Sequence, residues 1–283
     1  MELPFDINLE NRVAVVTGGS GVLGSVLCES LAQAGAQVII LARNKGKIDR
    51  VVERIKQNGG KAYGYSVDVL NKEDLETVHQ DVLSKVGPCS LLINGAGGNS
   101  SKATTDGERL SLDDLTDQNQ QTFFDLDPNA VEGLFNLNFL GALIPTQVFT
   151  KDMVDQEQAT VINISSMNAF RPLTKIPAYS GAKAAISNFT QWLAVYFSKV
   201  GIRVNAMAPG FFLTDQNRDL MFTEDRELSD RANKILSQTP VERFGKPEDL
   251  VGTLLWLVDH RSSGFVNGIV VPIDGGFSAY SGV

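Results

Sequence analysis

The sequence predicts an α/β fold: one doubly wound parallel sheet of about seven strands with helices on both faces. Three observations carry that expectation. Short apolar, β-branched runs alternate with longer amphipathic runs along the chain, and strands that read as continuous apolar stretches are those buried on both faces by helices. The first apolar run passes through a glycine-rich turn straight into a helix-like run, and right-handed crossovers extend that order into a doubly wound sheet. No internal repeat, low-complexity tract or linker interrupts the 283 residues, so residues 1–283 are expected to form a single domain with a large core.

VAVVT (residues 13–17) is the first strand, short and β-branched. The helix-like run after it closes at Gly35, a natural residue just past a helix end. QVIILA (37–42) is the second buried strand. Ile48, Val51, Val52 and Ile55 then recur at i, i+3, i+4 and i+7, one apolar stripe of a helix that Gly59 and Gly60 stop. KAYGYSVDV (61–69) is the third strand. Asn71 opens the next helix, with Asp74 as a capping-box-like partner and Leu75, Val78 and Val82 on one face. SLLING (90–95), TVINIS (160–165), IRVNAMAP (202–209) and GIVVPID (268–274) are the remaining strands. Residues 98–127 break the rhythm. They are long and polar, with a small apolar cluster at Phe123, Phe124 and Leu126. A loop of that length in a compact domain is usually functional or mobile. Ligands of this fold bind at the carboxyl ends of the strands, so an insertion after the fourth strand is expected to border the active site.

Composition narrows the function. The net charge is −8, from 25 basic and 33 acidic residues, which argues against a nucleic-acid binder. The two cysteines, Cys28 and Cys89, form no C-x-x-C, so a reducing cytoplasm is the expected compartment and Cys28 is expected as a packed thiol. His79 and His260 stand far apart, and no metal site is expected. The N-terminus lacks the basic region and apolar run of a signal peptide, and no apolar stretch is long enough to span a membrane.

The turn VVTGGSGVLGSVL can hold a dinucleotide pyrophosphate, because glycines allow close backbone approach and a helix N-terminus offers unpaired N–H groups. Its glycines fit two registers: G-x-G-x-x-G at Gly19, Gly21 and Gly24, or T-G-x-x-x-G-x-G from Thr17 and Gly18, with Val22 where the middle glycine should stand. At the end of the second strand Ala42 occupies the place of the acid that would bind a ribose 2′-hydroxyl, and Arg43 follows. A guanidinium suits a 2′-phosphate, which favours NADP(H). NAD(H) stays open, through Asn44 or backbone contacts with Arg43 merely solvated. Asp68, after the third strand, can accept a hydrogen bond from the adenine amino group; a solvated strand-end carboxylate is the other reading.

YSGAK sets Tyr179 and Lys183 at i and i+4 on one helix face. A free tyrosine, with a pKa of about 10, is a poor acid or base at neutral pH. A neighbouring ammonium would lower it and let the pair exchange a proton with a carbonyl or alcohol oxygen. Ser166, thirteen residues upstream at a strand end, can hydrogen-bond the same oxygen, or simply cap the strand. Asn138 is an amide in an apolar helix-like run, which a satisfied core amide would also explain.

From about Asn11 to Gly276 these motifs together resemble the short-chain dehydrogenase/reductase family. The resemblance rests on Thr17-Gly18 with Gly24, Asp68, NGAG at 94–97, Asn138 in NFLG, Ser166, Tyr179 with Lys183, NAMAPG at 205–210 and IDGG at 273–276. It implies a Rossmann-type NAD(P)-binding domain in which Tyr179 is the acid/base. Lys183 would hold the nicotinamide ribose, Ser166 would orient the substrate oxygen, and Asn138 would prop a helix and a relay water. It extends the cofactor site to Gly18, Ser20, Gly21, Val22, Leu23, Gly24, Arg43, Asn44, Asp68, Val69, Asn94, Ala96, Gly97, Pro209, Gly210, Phe212 and Thr214, besides Tyr179 and Lys183. It also implies a dimer or tetramer, a homotetramer being expected. Two positions depart from the family pattern: Gly95 in NGAG, and Val22 with Gly21 in the turn.

NGAGGN, KATTD, TFFDLD and FNLNFLGALIPTQVF are similar to the D-mannonate oxidoreductase (D-fructuronate reductase) subgroup, with gluconate 5-dehydrogenase-like enzymes as near relatives. That resemblance implies a sugar-acid substrate. Its carboxylate needs a clamp, and the candidates are Lys102, Arg171 and Lys175, each equally readable as a solvated charge. Other carbonyl substrates stay open, such as 5-ketogluconate or a 3-oxoacyl compound. So does a catalytically silent nucleotide-sensing regulator, although both Tyr179 and Lys183 are present. An epimerase or dehydratase is disfavoured because little chain follows IDGG.

Overall fold

The computed structural model describes residues 6–214, 221–223, 225 and 227–282. Seven strands form one sheet: β1 (Val13–Thr17), β2 (Gln37–Ala42), β3 (Lys61–Ser66), β4 (Leu91–Asn94), β5 (Thr160–Ile164), β6 (Arg203–Pro209) and β7 (Val270–Ile273). Their order is β3-β2-β1-β4-β5-β6-β7, and every pairing is parallel. The winding reverses between β1 and β4, the crevice where open α/β sheets bind ligands.

Alternation along the strands explains their unbroken apolarity. Ala14, Val16, Val38 and Ile40 join the core on one face, while Val13, Val15, Ile39 and Leu41 join the core on the other. The first core is covered by α1 (Val22–Gln33), α2 (Lys45–Gln57) and α8 (Val251–Val258). The second is covered by α3 (Lys72–Lys85), α5 (Gly141–Phe149) and α6 (Pro177–Tyr196). Also present are α4 (Pro128–Phe135) and α7 (Asp230–Ser237).

Local chemistry sets the helix ends. Asn44 caps α2 and Asn71 caps α3, each accepting from a backbone N–H in the first turn, and Asn71 also donates to Asp74. Gly35 stands after α1 at φ +103°, where a side chain would press on Glu10. The buried face of α3 is Leu75, His79 and Val82, with Val78 partly buried against the same core as expected, and the His79 ring donates to the Asp152 carboxylate at 2.8 Å. The third strand ends at Ser66 rather than at residue 69, since the Asp68 carboxylate folds back to accept from the Leu70 N–H and turns the chain into α3. Cys28 and Cys89 are free and buried.

The 98–127 insertion is more ordered than a bare loop. It contains three 3₁₀ turns, Ser101–Ala103, Asp113–Leu115 and Phe123–Asp125, the last closed by a Thr122–Asp125 capping box. Phe123 and Phe124 touch edge-to-face but stay mostly exposed, so they do not form a local core. Asn138 lies in a π-helical turn, Asn136–Leu140, that joins α4 to α5.

Candidate active site

The carboxyl ends of β1, β4, β5 and β6 carry the site. At β1, Gly18 takes φ +67°, and a Cβ there would lie 2.7 Å from the Gly95 carbonyl oxygen. A Cβ on Gly24 would lie 2.3 Å from the Gly18 carbonyl oxygen. Both positions are therefore closed to any side chain. Gly21 is exposed and extended, with only the Gly18 carbonyl oxygen nearby at 3.3 Å. Gly19 is tight for another reason, because Cys28 lies beneath it. The geometry thus favours the register anchored on Gly18 and Gly24, and the turn opens at Gly21 and Val22, where it departs from the family pattern. Thr17 holds the turn to β4 by accepting from the Gly95 and Ala96 N–H groups.

α1 begins at Val22 with no side-chain cap and no acid in its first turn. Its leading N–H groups, around Ser20–Gly24, have no intrahelical acceptor and lie beside the opened glycine turn. This cradle fits a dinucleotide pyrophosphate. Arg43 is exposed beyond β2, and its carbonyl accepts from the Ser66 hydroxyl. The Asn44 Oδ1 caps α2 by accepting from the Lys47 N–H. Asp68 is exposed and Val69 buried. Asn94 turns inward, donating to Thr146 and to Asn163, so its side chain secures strand ends rather than forming a cofactor floor. Ala96 and exposed Gly97 remain at the rim; a Cβ on Gly97 would lie 2.7 Å from Asn138 Oδ1 and 3.1 Å from Lys183 Nζ.

After β6, Pro209 ends the strand and Gly210 passes so close to Asp274 that a Cβ would lie 2.6 Å away. Phe212 is buried against Gly245 and Thr214 is half-buried. Phe211 instead faces the open side and packs edge-to-face on Phe277.

The catalytic candidates converge as the spacing implied. Ser166 faces the Tyr179 hydroxyl and favours its ionised form. Lys183 Nζ lies 5.6 Å from the centre of the Tyr179 ring and donates to the Ile164 carbonyl at 2.9 Å. Ser165 fixes α6 to β5 by bonding the Lys183 carbonyl and Ser187. Asn138 donates to the Gly98 and Leu134 carbonyls and accepts from the Gly98 N–H, so it pins the start of the insertion. One expectation reverses. Tyr179 sits above its ordinary pKa, because burial outweighs Ser166, which pulls it down. Lys183 is itself desolvated, which lowers its pKa to about 8.

A cavity of about 350 Å³ lies between the insertion, the segment that leads from Ser166 to Tyr179, and α7. Of the three clamp candidates only Lys175 lines it. Lys102 is exposed on the first turn of the insertion. Arg171 is spent elsewhere, donating through Nη1 to the Phe277 and Tyr280 carbonyls and so tying down the C-terminal segment. Phe211, Arg231 and Lys234 also face the cavity and had not been singled out.

The short chain dehydrogenase family model matches residues 12–225. The chain belongs to the short-chain dehydrogenase family. It is an NAD(P)-dependent oxidoreductase, and relatives match it end to end. An uncharacterized oxidoreductase of Haemophilus influenzae is 56% identical over 100% of this chain and 99% of its own length. A Haemophilus crystal structure with bound NAD, provisionally ascribed to a D-mannonate oxidoreductase, is 55% identical, covers both chains fully and superposes with a TM-score of 0.95. A gluconate 5-dehydrogenase of Burkholderia cenocepacia, in complex with NADP and tartrate, is 26% identical over 98% of each chain, with a TM-score of 0.82. Among the described residues of this dehydrogenase, no helix is long and apolar enough to cross a membrane, and no group of three or more His, Cys, Asp or Glu could hold a metal ion.

Proposed function

We propose that this dehydrogenase reversibly interconverts a keto group and a secondary alcohol on a sugar acid of the D-fructuronate/D-mannonate type. The observation that carries the proposal is Tyr179 set against Ser166 with Lys183 beside its ring, next in sequence to a cavity lined by Leu173, Thr174 and Lys175 of the segment that joins Ser166 to Tyr179. The Haemophilus structure ascribed to a D-mannonate oxidoreductase supports the substrate class.

Bound nicotinamide supplies the hydride donor or acceptor. The chain's residues do the rest. Ser166 donates to the substrate oxygen and fixes its position. Tyr179 gives its proton to that oxygen during reduction and takes it back during oxidation. Lys183 is positioned to bond the cofactor ribose and to stabilise the phenolate when it forms. Asn138 holds the backbone around Gly97–Gly98, beside the Lys183 ammonium.

Both cofactors are accepted in this proposal, with NADP(H) favoured by exposed Arg43 and the absence of an acid at Ala42. The NAD-bound relative supports NAD(H) as the alternative. A homotetramer is in keeping with Trp192, Val195 and Tyr196, which α6 leaves exposed. The free thiols suit a cytoplasmic setting. The test is a screen of D-fructuronate, 5-ketogluconate and related keto acids against NADH and NADPH, followed by absorbance of the reduced cofactor. Turnover is expected on at least one keto acid. Tyr179→Phe should abolish it while cofactor fluorescence still reports binding. No turnover on any keto acid, or full activity in Tyr179→Phe, refutes the proposal.

A further inference from the structure

The cavity lined by Leu173, Thr174 and Lys175, on the segment that leads into Tyr179, carries charges that the proton-transfer chemistry leaves unused. α7 turns Arg231, Lys234, Ile235 and Gln238 into it, at i, i+3, i+4 and i+7, so a single helix face supplies all four. Lys175 faces them from the segment between Ser166 and Tyr179, and Glu108 faces them from the insertion. Glu108 and Lys234 satisfy each other, Nζ to Oε2 at 2.6 Å, and that ammonium holds the Glu108 carboxyl below its usual pKa. Neither Arg231 nor Lys175 makes an ion pair or side-chain hydrogen bond among the described residues. Asp230 reaches the same space, but as the first residue of α7 its carboxylate also answers the positive helix end. Three cations against two carboxylates leave the cavity one positive charge in excess. Leu173, Phe211 and Phe277 give it apolar walls, which strengthen any ion pair formed within.

We propose that Arg231, with Lys175 opposite, recognises the substrate carboxylate and so selects sugar acids over neutral sugars of the same shape. The proposal rests on the sugar-acid function above and names the residue that enforces it. A guanidinium offers a carboxylate two parallel N–H donors, and a lysine across the cavity adds a point charge. Glu108 keeps Lys234 out of this role. Their bridge ties the insertion to α7 and fixes the width of the cavity mouth. The excess of one positive charge matches a monoanion such as a hexuronate.

The test compares kcat and KM of wild type, Arg231→Gln and Arg231→Lys on D-fructuronate and 5-ketogluconate, and on the neutral ketose D-fructose. Arg231→Gln is expected to raise KM for the acids about tenfold to a hundredfold, the worth of one charge-assisted pair, with kcat held within about threefold. Arg231→Lys should recover part of the loss, and D-fructose kinetics should not move. Equal losses on acid and ketose, or an unmoved KM for the acids, overturn the proposal. Arg231 is exposed, so the variants should fold. Failure of the underlying function would look different: wild type would turn over no sugar acid. Calorimetric binding of D-gluconate to the protein with NAD⁺ then decides the carboxylate site separately. Binding weakened about tenfold or more in Arg231→Gln supports it, and no binding by wild type, or equal binding by both, overturns it.

Discussion

Lys183 shows what the site costs the fold. It is 4% exposed, and among the described residues its ammonium has one hydrogen-bond acceptor, the Ile164 carbonyl. Burial lowers its pKa to about 8 from an ordinary 10.5. The unfolded chain therefore holds this proton more tightly than the folded one. The charge costs stability throughout the range below pH 8, and the cost is relieved as pH rises from about 8 to about 10.5. Lys183→Met is accordingly expected to abolish turnover yet raise the unfolding free energy at neutral pH, by at most on the order of 3 kcal/mol. The gain should shrink toward zero near pH 10. Urea unfolding at both pH values measures it. A variant destabilised equally at both would mean that Lys183 serves packing rather than carrying a desolvation penalty.

At the scale of elements, the catalytic strand ends are held by a buried polar chain. Thr146 on α5 accepts from Asn94 on β4; Asn94 also donates to Asn163 on β5, and Asn163 donates to Thr190 on α6. All four residues are buried, so each partner removed leaves a desolvated polar atom behind. Asn163→Ala is expected to cost about 2 kcal/mol or more, from the lost bonds and the stranded Thr190 and Asn94 groups. Chemical denaturation measures the loss, and a change below about 0.5 kcal/mol would mean that water or rotation rescues the chain. The inner strands β1, β2 and β4 were legible from the sequence because nearly every position in them is apolar, and so was the Tyr179–Lys183 pair, because i, i+4 spacing needs no tertiary information. The polar chain was not legible. Asn94 and Asn163 sit in separate runs, and only sheet pairing makes them neighbours. Arg171 misled for the same reason, since the C-terminal carbonyls that occupy it lie more than a hundred residues away. The Arg231, Lys234 and Gln238 stripe did carry a signal in its helical spacing, but nothing local told which way that face points.

For the whole molecule, the sheet is divided by function at the β1–β4 junction. The glycine turn and Arg43 lie at the ends of β1 and β2, and Ser166, Tyr179 and Lys183 gather around β5. A dinucleotide spanning that junction touches both halves, so its binding is read in global stability, by about 2.7 kcal/mol at a hundredfold excess over Kd. Cofactor choice can therefore be measured without a substrate. NADPH is expected to raise the melting temperature more than NADH at equal concentration, because Arg43 is exposed and no acid at Ala42 repels a 2′-phosphate. Arg43→Ala should erase that excess and leave the NADH shift in place. A variant that loses both shifts equally would place Arg43 in the fold rather than at the phosphate. A wild type that NADH stabilises more would assign the enzyme to NAD, as bound in its Haemophilus relative. The outcome has a physical reason in either case. The Asn44 Oδ1 is engaged in capping α2, so of the two residues after β2 it is Arg43 whose exposed cation bears on the 2′-phosphate.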